Sequence, residues 1–177
     1  MVDLTIIVVG IRVKKWESLY KEAKNAIKRY EHEFLFVGPN PLPSFFDDKE
    51  DVVYLRIFSN PSICLQMVSQ LARGKFMTWI IDDASIKENS LDSALDVMKN
   101  QDKTTIMFSR YVERENGIEK EDLENFMNAN FHQDLRLPLV DKSFKIAPVM
   151  LLQTDFFKEM GGISCSYEHI NRFNFRF

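Results

Sequence analysis

Cysteine, histidine and glycine are scarce in this chain of 177 residues, which contains two, three and six of them. Cys64 and Cys165 lie far apart and in no metal-ligand spacing, so the sequence predicts two reduced thiols rather than a disulfide scaffold. Basic residues are not in excess: 23 Lys and Arg against 26 Asp and Glu leave a formal net charge of -3. Because nucleic-acid binders usually present a basic face, we expect no nucleic-acid partner.

Long apolar runs are also missing. Residues 4–11 and 76–81 form the longest ones, and both are far shorter than the ~20 residues that a membrane helix needs. The N-terminus lacks a basic segment followed by an apolar stretch and a cleavage site, so no signal peptide is expected. These absences predict a cytoplasmic protein without a transmembrane segment.

Apolar segments of strand length alternate with segments of helical periodicity. This alternation implies right-handed βαβ units, and hence an α/β fold with a Rossmann-like, doubly wound, mostly parallel sheet flanked by helices. Residues 113–139 are polar and predict an excursion or flexible loop. Strands are predicted at residues 4–9, 33–37, 52–57, 76–81, 104–110 and 144–152. Helices are predicted at residues 16–30, from a start signal at 59–61 to 73, and at 90–100, 122–131 and 154–160.

Two adjacent carboxylates, Asp82 and Asp83, follow the predicted fourth strand. Ligands of open α/β sheets bind at the carboxyl ends of the strands, and a metal-diphosphate needs only one or two carboxylates from the protein. The alternative interpretation is that the pair caps the following helix. Arg12 follows the first strand and is either a phosphate contact or part of a solvated helix start.

The segment 73–84, Arg-Gly-Lys-Phe-Met-Thr-Trp-Ile-Ile-Asp-Asp-Ala, resembles a stretch of the family 2 GT-A glycosyltransferases. In that family a helix ends in Ala-x-Gly-(Glu/Lys)-aromatic, and a strand then leads to an Asp-x-Asp-type motif. Residues 147–150 and 155–163 are similar to the family's acceptor-side strand and to the helix that runs into Gly-Gly. Residues 165–169, Cys-Ser-Tyr-Glu-His, resemble the place of the acidic catalytic base.

The resemblance implies a metal-dependent, inverting glycosyltransferase of the kind used in polysaccharide biosynthesis. It would move a sugar from a nucleotide-diphosphate sugar, a UDP-sugar by default, to the hydroxyl of a glycan or another acceptor. Glu168 would be the general base, and Asp83 and His169 would bind Mn²⁺ or Mg²⁺. The residues expected to contact the nucleotide are Val9, Gly10, Arg12, Gly38, Pro39, Asn60, Gln66 and Asp82.

The sequence departs from the family pattern at two strand ends. Ile81 stands where the first Asp of Asp-x-Asp would be, so Asp83 falls on the usual ligand position. Asp82 would then touch the ribose or reach the metal through water. Residues 38–41 are Gly-Pro-Asn-Pro rather than Asp-Asp-Gly-Ser, whose first Asp reads the base, so the base is left undetermined.

We expect one GT-A-like domain over residues 1–177, with a nucleotide-binding part at 1–112 and an incomplete acceptor-side part at 113–177. One alternative is a non-catalytic module with a degenerate GT-A fold that binds a sugar nucleotide or a partner protein. A nucleotidyltransferase is a poorer match, because residues 10–15 hold a single glycine. An oxidoreductase is disfavoured because no Gly-x-Gly-x-x-Gly follows the first strand. Three Phe residues alternate with polar residues at 173–177 and suggest a homo-oligomer contact.

Overall fold

A six-stranded sheet forms the centre of the protein in a computed structural model that describes residues 2–109, 113–115, 118–120 and 150–162. The strands are β1 (Leu4–Val9), β2 (His32–Gly38), β3 (Val52–Arg56), β4 (Phe76–Ile81), β5 (Ile106–Phe108), β6 (Glu113–Glu115), β7 (Ile118–Lys120) and β8 (Met150–Gln153). The helices are α1 (Trp16–Ala26), α2 (Pro61–Ser69), α3 (Ser90–Met98) and α4 (Thr154–Glu159), with 3-10 turns at Val13–Lys15 and Ser44–Phe46.

The strand order of the sheet is β3-β2-β1-β4-β8-β5. Strands β3, β2, β1 and β4 are parallel to one another, whereas β8 runs antiparallel to both β4 and β5. The predicted doubly wound, mostly parallel α/β fold is therefore confirmed. The chain moves from β1 to β2 and β3 in one direction and then places β4 on the other side of β1. This reversal makes the carboxyl ends of β1 and β4 the topological switch point, where such sheets bind ligands.

Both faces of the central strands are buried, which explains why β1, β2 and β4 read as continuous apolar runs. Alternate residues of these strands enter two separate clusters. On one face Ile6 and Val8 pack with Leu19 of α1 and Leu95 of α3. On the other face strand residues pack with α2 and α4, in a cluster that contains Ile7, Met77, Val68 and Phe157. The layers are helices, sheet and helices, as a buried parallel sheet requires.

Two helices end earlier than the sequence predicts, and a buried carboxylate lies beside each end. α1 ends at Ala26 rather than near residue 30, because Asp92 of α3 accepts the backbone N–H groups of Lys28 and Arg29. α2 ends at Ser69 rather than at Arg73, whose backbone N–H donates to Glu33 at 2.8 Å. These tertiary hydrogen bonds replace the next intrahelical ones, so the chain leaves the helix.

Glu33 is the centre of a buried network that joins β1, β2 and the turn before β4. Its side chain is 2% exposed. It accepts hydrogen bonds from the Thr5 hydroxyl at 2.6 Å and from Arg73 Nε at 2.6 Å. The Thr5 hydroxyl in turn accepts the Gly74 N–H at 2.9 Å. The network sets where β4 begins against β1, and therefore where β4 ends.

Several expectations fall partly or wholly outside the described residues. The predicted strand at 144–152 is described from Met150 onward, and the predicted strand at 104–110 is reduced to β5. The polar excursion at 113–139 contains the antiparallel pair β6 and β7, and the predicted helix at 122–131 lies outside the described residues. Cys64 is a free, buried thiol whose pKa is raised by burial, while Cys165 is not described. No helix within the described ranges has the length and apolar character needed to cross a membrane.

Candidate functional site

The carboxyl ends of four parallel strands meet at one edge of the sheet. Val9 at the end of β1 lies opposite Val37 of β2 and Ile81 of β4. The residues that follow are therefore neighbours, and Gly10 N–H donates to the Val37 carbonyl at 3.2 Å. This register brings together Gly10, Gly38 and Asp82, three of the residues that the sequence assigns to the nucleotide site.

Asp82 points inward from this edge and is 1% exposed. Its Oδ2 accepts the backbone N–H groups of Ile11 at 2.8 Å and Arg12 at 2.6 Å. Its Oδ1 accepts Arg12 Nε at 2.8 Å and pairs with a terminal guanidinium nitrogen of Arg12 at 2.6 Å. A carboxylate has about four acceptor positions, so the protein itself uses all of them. In this structure Asp82 holds the turn after β1; a contact with ribose or a metal-bound water stays a prediction.

Arg12 extends from Asp82 to the neighbouring carboxylate. Its second terminal nitrogen lies 2.9 Å from Asp83 Oδ2. The Arg12 and Asp83 side chains are 37% and 33% exposed, in contrast to Asp82. The hydrogen bond to Asp82 raises the pKa of Arg12, against the opposing effect of its partial burial. One guanidinium between two ionised carboxylates leaves the cluster, which we call the Arg12 cluster (Arg12, Asp82 and Asp83), with one net negative charge.

Glycine at positions 10 and 38 follows from how closely the chain passes itself at this edge. A Cβ atom on Gly10 would overlap the Asp82 carboxylate. A Cβ atom on Gly38 would overlap the Gly10 carbonyl oxygen. Both residues are therefore required by packing around the Arg12 cluster, whether or not a nucleotide approaches them.

The variant Gly10→Ala is expected to lose about 1–3 kcal/mol of unfolding free energy, the usual cost of an overpacked interior. The new methyl group must displace the Asp82 carboxylate, which is held by four hydrogen bonds or ion pairs. Urea unfolding followed by circular dichroism would measure the change. Gly161→Ala is a comparison for backbone strain without overpacking: its added Cβ meets no atom within 4 Å, and the positive φ of 84° alone should cost about 1–2 kcal/mol. Equal stability of Gly10→Ala and the unaltered protein would contradict this packing.

Residues of β2 and β3 shape the other side of the edge, and sequence analysis missed most of them. Arg56 Nε donates to the Pro39 carbonyl at 3.0 Å, and Asn40 Nδ2 donates to the Ile11 carbonyl at 2.8 Å. The Tyr54 hydroxyl donates to the carbonyls of Gly38 and Asn40. These side chains tie the ends of β1, β2 and β3 together. The sequence carried no local signal for these contacts, because the side chains of Tyr54 and Arg56 reach partners 14 to 17 positions away along the chain.

Asn60 and Gln66 belong to α2, which follows β3. Asn60 Oδ1 accepts the Ile63 N–H at 2.9 Å, so Asn60 is the N-cap and Pro61 the first helical residue, which confirms the helix start predicted at residues 59–61. Gln66 Nε2 donates to the Gly161 carbonyl at 3.1 Å. This contact joins α2 to the turn at Gly161 and Gly162, whose φ angles are 84° and 75°. Nucleotide binding by Asn60 and Gln66 stays a prediction.

The predicted catalytic base Glu168 and metal ligand His169 lie outside the described residues. Within the described part of the chain, no group of three or more His, Cys, Asp or Glu side chains is placed to hold a metal ion. Among the residues that the structure describes, the partly exposed carboxylate at the end of β4 is Asp83. Because a divalent cation carried by a diphosphate needs only one or two protein carboxylates, Asp83 fits that role and the saturated Asp82 does not.

Comparisons with known proteins rest on structure alone. No protein-family model matches the sequence, and no curated protein matches it. Among solved structures, the mannosyltransferase PcManGT from Pyrobaculum calidifontis, in complex with GDP-Man and Mn²⁺, aligns with a TM-score of 0.58 and 12% identity over 94% of this chain and 50% of its own. S. aureus TarS 1-349 aligns with a TM-score of 0.56 and 14% identity over 90% of this chain and 49% of its own.

A third solved structure is the galactosyltransferase LgtC in complex with donor and acceptor sugar analogues. It aligns with a TM-score of 0.50 and 11% identity over 87% of this chain and 59% of its own. This chain therefore spans about half the length of the first two structures. At such identities the likeness concerns the fold. The parallel sheet, its strand order with β8 inserted between β4 and β5, and these alignments show that the chain has the fold of the GT-A-type glycosyltransferases.

Proposed function

We propose that this protein binds a nucleotide-diphosphate sugar at the carboxyl ends of β1 and β4 and transfers the sugar to an acceptor hydroxyl. The observation that carries this proposal is the Arg12 cluster, a charged group of side chains located at the switch point of a GT-A-type sheet. Ligands of open α/β sheets bind at that point. A UDP-sugar is the default donor, and a glycan is the acceptor that polysaccharide biosynthesis would supply.

The nucleotide would lie over the edge formed by the strand ends. Val9 ends β1 and Gly10 follows it, while Gly38 ends β2 and Pro39 follows it. The Gly10 N–H donates to the Val37 carbonyl, and the Pro39 carbonyl accepts from Arg56. Asp82 would act through the turn that it holds, and Arg12 would face the phosphates. Asn60 and Gln66 would contribute from the α2 side. The same proposal assigns residues 1–112 to the nucleotide and residues 113–177 to the acceptor.

The chemistry at this edge is the departure of a nucleoside diphosphate, which gains negative charge as the glycosidic bond breaks. A divalent cation, Mn²⁺ or Mg²⁺, would supply Lewis-acid stabilisation of that charge when bound. Asp83 would hold it with one carboxylate, and His169 is proposed as a further ligand. Glu168 would remove the proton from the acceptor hydroxyl on the opposite face of the sugar, which gives inversion at the anomeric carbon.

Replacing Asp83 with alanine is expected to weaken UDP binding in the presence of Mn²⁺ by at least about 10–100-fold. Mutating even a residue that only hydrogen-bonds to a metal ligand typically lowers metal affinity by that factor. Calorimetric titration of UDP, with and without Mn²⁺, measures the affinity in the variant and in the unaltered protein. The matched control is Asp102→Ala. Asp102 precedes β5, which runs parallel to β4, so it lies at the opposite edge of the sheet. That variant should bind UDP like the unaltered protein.

The results of this titration separate the proposal from its main alternative. Metal-dependent UDP binding that is lost in Asp83→Ala supports the sugar-nucleotide site and leads to assays of UDP-sugar hydrolysis. Binding of GDP or CDP in place of UDP would change only the donor base. If none of the three nucleotides binds with or without Mn²⁺, the proposal is wrong, and a non-catalytic module that binds a partner protein becomes the better interpretation.

A further inference from the structure

We infer that Arg12 couples cation binding to donor binding: it is the counter-ion of Asp83, and it transfers this contact to the donor's diphosphate when the donor binds. This inference rests on the proposed function and adds a role to it. Arg12 would be a positioning residue that keeps Asp83 from binding a divalent cation alone. The cation and the nucleotide would then enter together.

The two attachments of Arg12 are unequal. Towards Asp82 two of its nitrogens converge, at 2.8 and 2.6 Å, on one oxygen of a buried carboxylate. Towards Asp83 it makes one ion pair at 2.9 Å, between side chains that are both about one-third exposed. A contact made twice by a planar guanidinium is stronger and more directional than a single solvent-accessible one. The Asp83 contact is therefore the one that can be exchanged while Arg12 stays anchored.

The charge of the Arg12 cluster opposes each ligand when it arrives alone. A cation that approaches Asp83 meets the guanidinium, which already occupies Oδ2 of that carboxylate. A diphosphate without a cation meets one net negative charge. When both arrive, the diphosphate would accept the Arg12 N–H that Asp83 releases, and the Asp83 carboxylate would become available to hold the cation. Each ligand then raises the affinity for the other by the same factor, as linkage requires.

The experiment measures Mn²⁺ binding by electron paramagnetic resonance in the unaltered protein, with and without saturating UDP, and then in Arg12→Lys. In the unaltered protein we expect UDP to tighten Mn²⁺ binding by about 10-fold or more, within the usual range of coupling between two sites. Lysine can still neutralise the buried Asp82, but its single ammonium group cannot reach both carboxylates as the planar guanidinium of Arg12 does. In Arg12→Lys, Mn²⁺ alone should therefore bind about 5-fold tighter, while UDP in the presence of Mn²⁺ binds about 10-fold more weakly.

These opposite changes distinguish coupling from a simple loss of structure, which would weaken both ligands. The matched control is Lys14→Gln. Lys14 is exposed and lies two residues after Arg12, so this variant removes a nearby positive charge. It should leave both affinities within about twofold, as expected of screened surface charges. Mn²⁺ binding that is as tight without UDP as with it would overturn the inference, even if Arg12→Lys failed to fold.

The failure of the inference differs from the failure of the proposed function. UDP binding that needs Mn²⁺ in the unaltered protein, with both affinities unchanged or both reduced in Arg12→Lys, overturns only the coupling role of Arg12. Absence of nucleotide binding under every condition overturns the proposed function and the inference with it.

Discussion

Asp82→Ala is expected to lower the free energy of unfolding by about 3 kcal/mol, at the low end of the cost of removing one partner of a buried ion pair. The substitution leaves the N–H groups of Ile11 and Arg12 without their acceptor and the Arg12 guanidinium without its main partner. The low end is expected because Arg12 is 37% exposed and can turn towards water. For a chain of this length the loss corresponds to a fall in Tm of roughly 6–12 °C, measured by thermal unfolding in near-ultraviolet circular dichroism.

The neighbouring carboxylate is the matched control for this prediction. Asp83→Ala removes the same number of atoms one residue later, but it breaks only one partly exposed ion pair. Such pairs contribute about 0–1 kcal/mol, so its Tm should stay within a few degrees of the unaltered protein. Stability should therefore depend on Asp82 and metal-linked UDP binding on Asp83. Equal destabilisation by the two variants would contradict the structural role given to Asp82.

Glu33→Ala is expected to cost about 3 kcal/mol, again at the low end for a buried ion pair, because its partner Arg73 is 66% exposed and can turn towards water. It deprives the Thr5 hydroxyl and the Arg73 backbone N–H of their acceptor, and it leaves a cavity between β1 and β2. The start of β4 would lose its fixed register against β1, since Gly74 is held through Thr5. Equilibrium urea unfolding measures the loss of unfolding free energy. The m-value, which is the slope of this free energy against urea concentration, is compared between variants.

Glu31→Ala serves as the control for Glu33→Ala. Glu31 lies two residues earlier and is exposed, and substitutions at such surface positions usually stay within about 0.5 kcal/mol. If Glu33→Ala unfolded at the same urea concentration as Glu31→Ala, the network around Glu33 would contribute nothing to stability. The expected outcome is that Glu33→Ala lowers the unfolding free energy and leaves the m-value unchanged, because the fold and the surface that it buries stay the same.

The sequence predicted the sheet better than it predicted the contacts at its edge. Apolar runs that end in Gly10 or in Asp82 and Asp83 were enough to place these candidate residues at one edge of the sheet, since buried strands have a composition of their own. Whether Asp82 points inward or outward depends on Arg12, which lies 70 positions earlier in the chain. No local pattern encodes a partner at that distance.

The same reason explains the helix ends and the buried carboxylates. Glu33 and Asp92 belong to residue types that are seldom buried, yet both are about 2% exposed. Their partners come from other elements of the fold, so helical periodicity alone extends α1 and α2 too far. The N-cap at Asn60 was predictable because its hydrogen bond is local, three residues along the chain.

The insertion of β8 between β4 and β5 has a consequence for how the chain folds. Within the described residues, β5 pairs only with β8, which is separated from it by more than forty positions along the chain. The strands β1 to β4 can align as soon as residue 81 has left the ribosome, whereas β5 must wait for β8 before it gains a hydrogen-bonded neighbour. Closing such a long loop is slow relative to local pairing. The edge that carries Arg12, Asp82 and Asp83 is thus assembled in the early part of folding, and the far side of the sheet is the last to close.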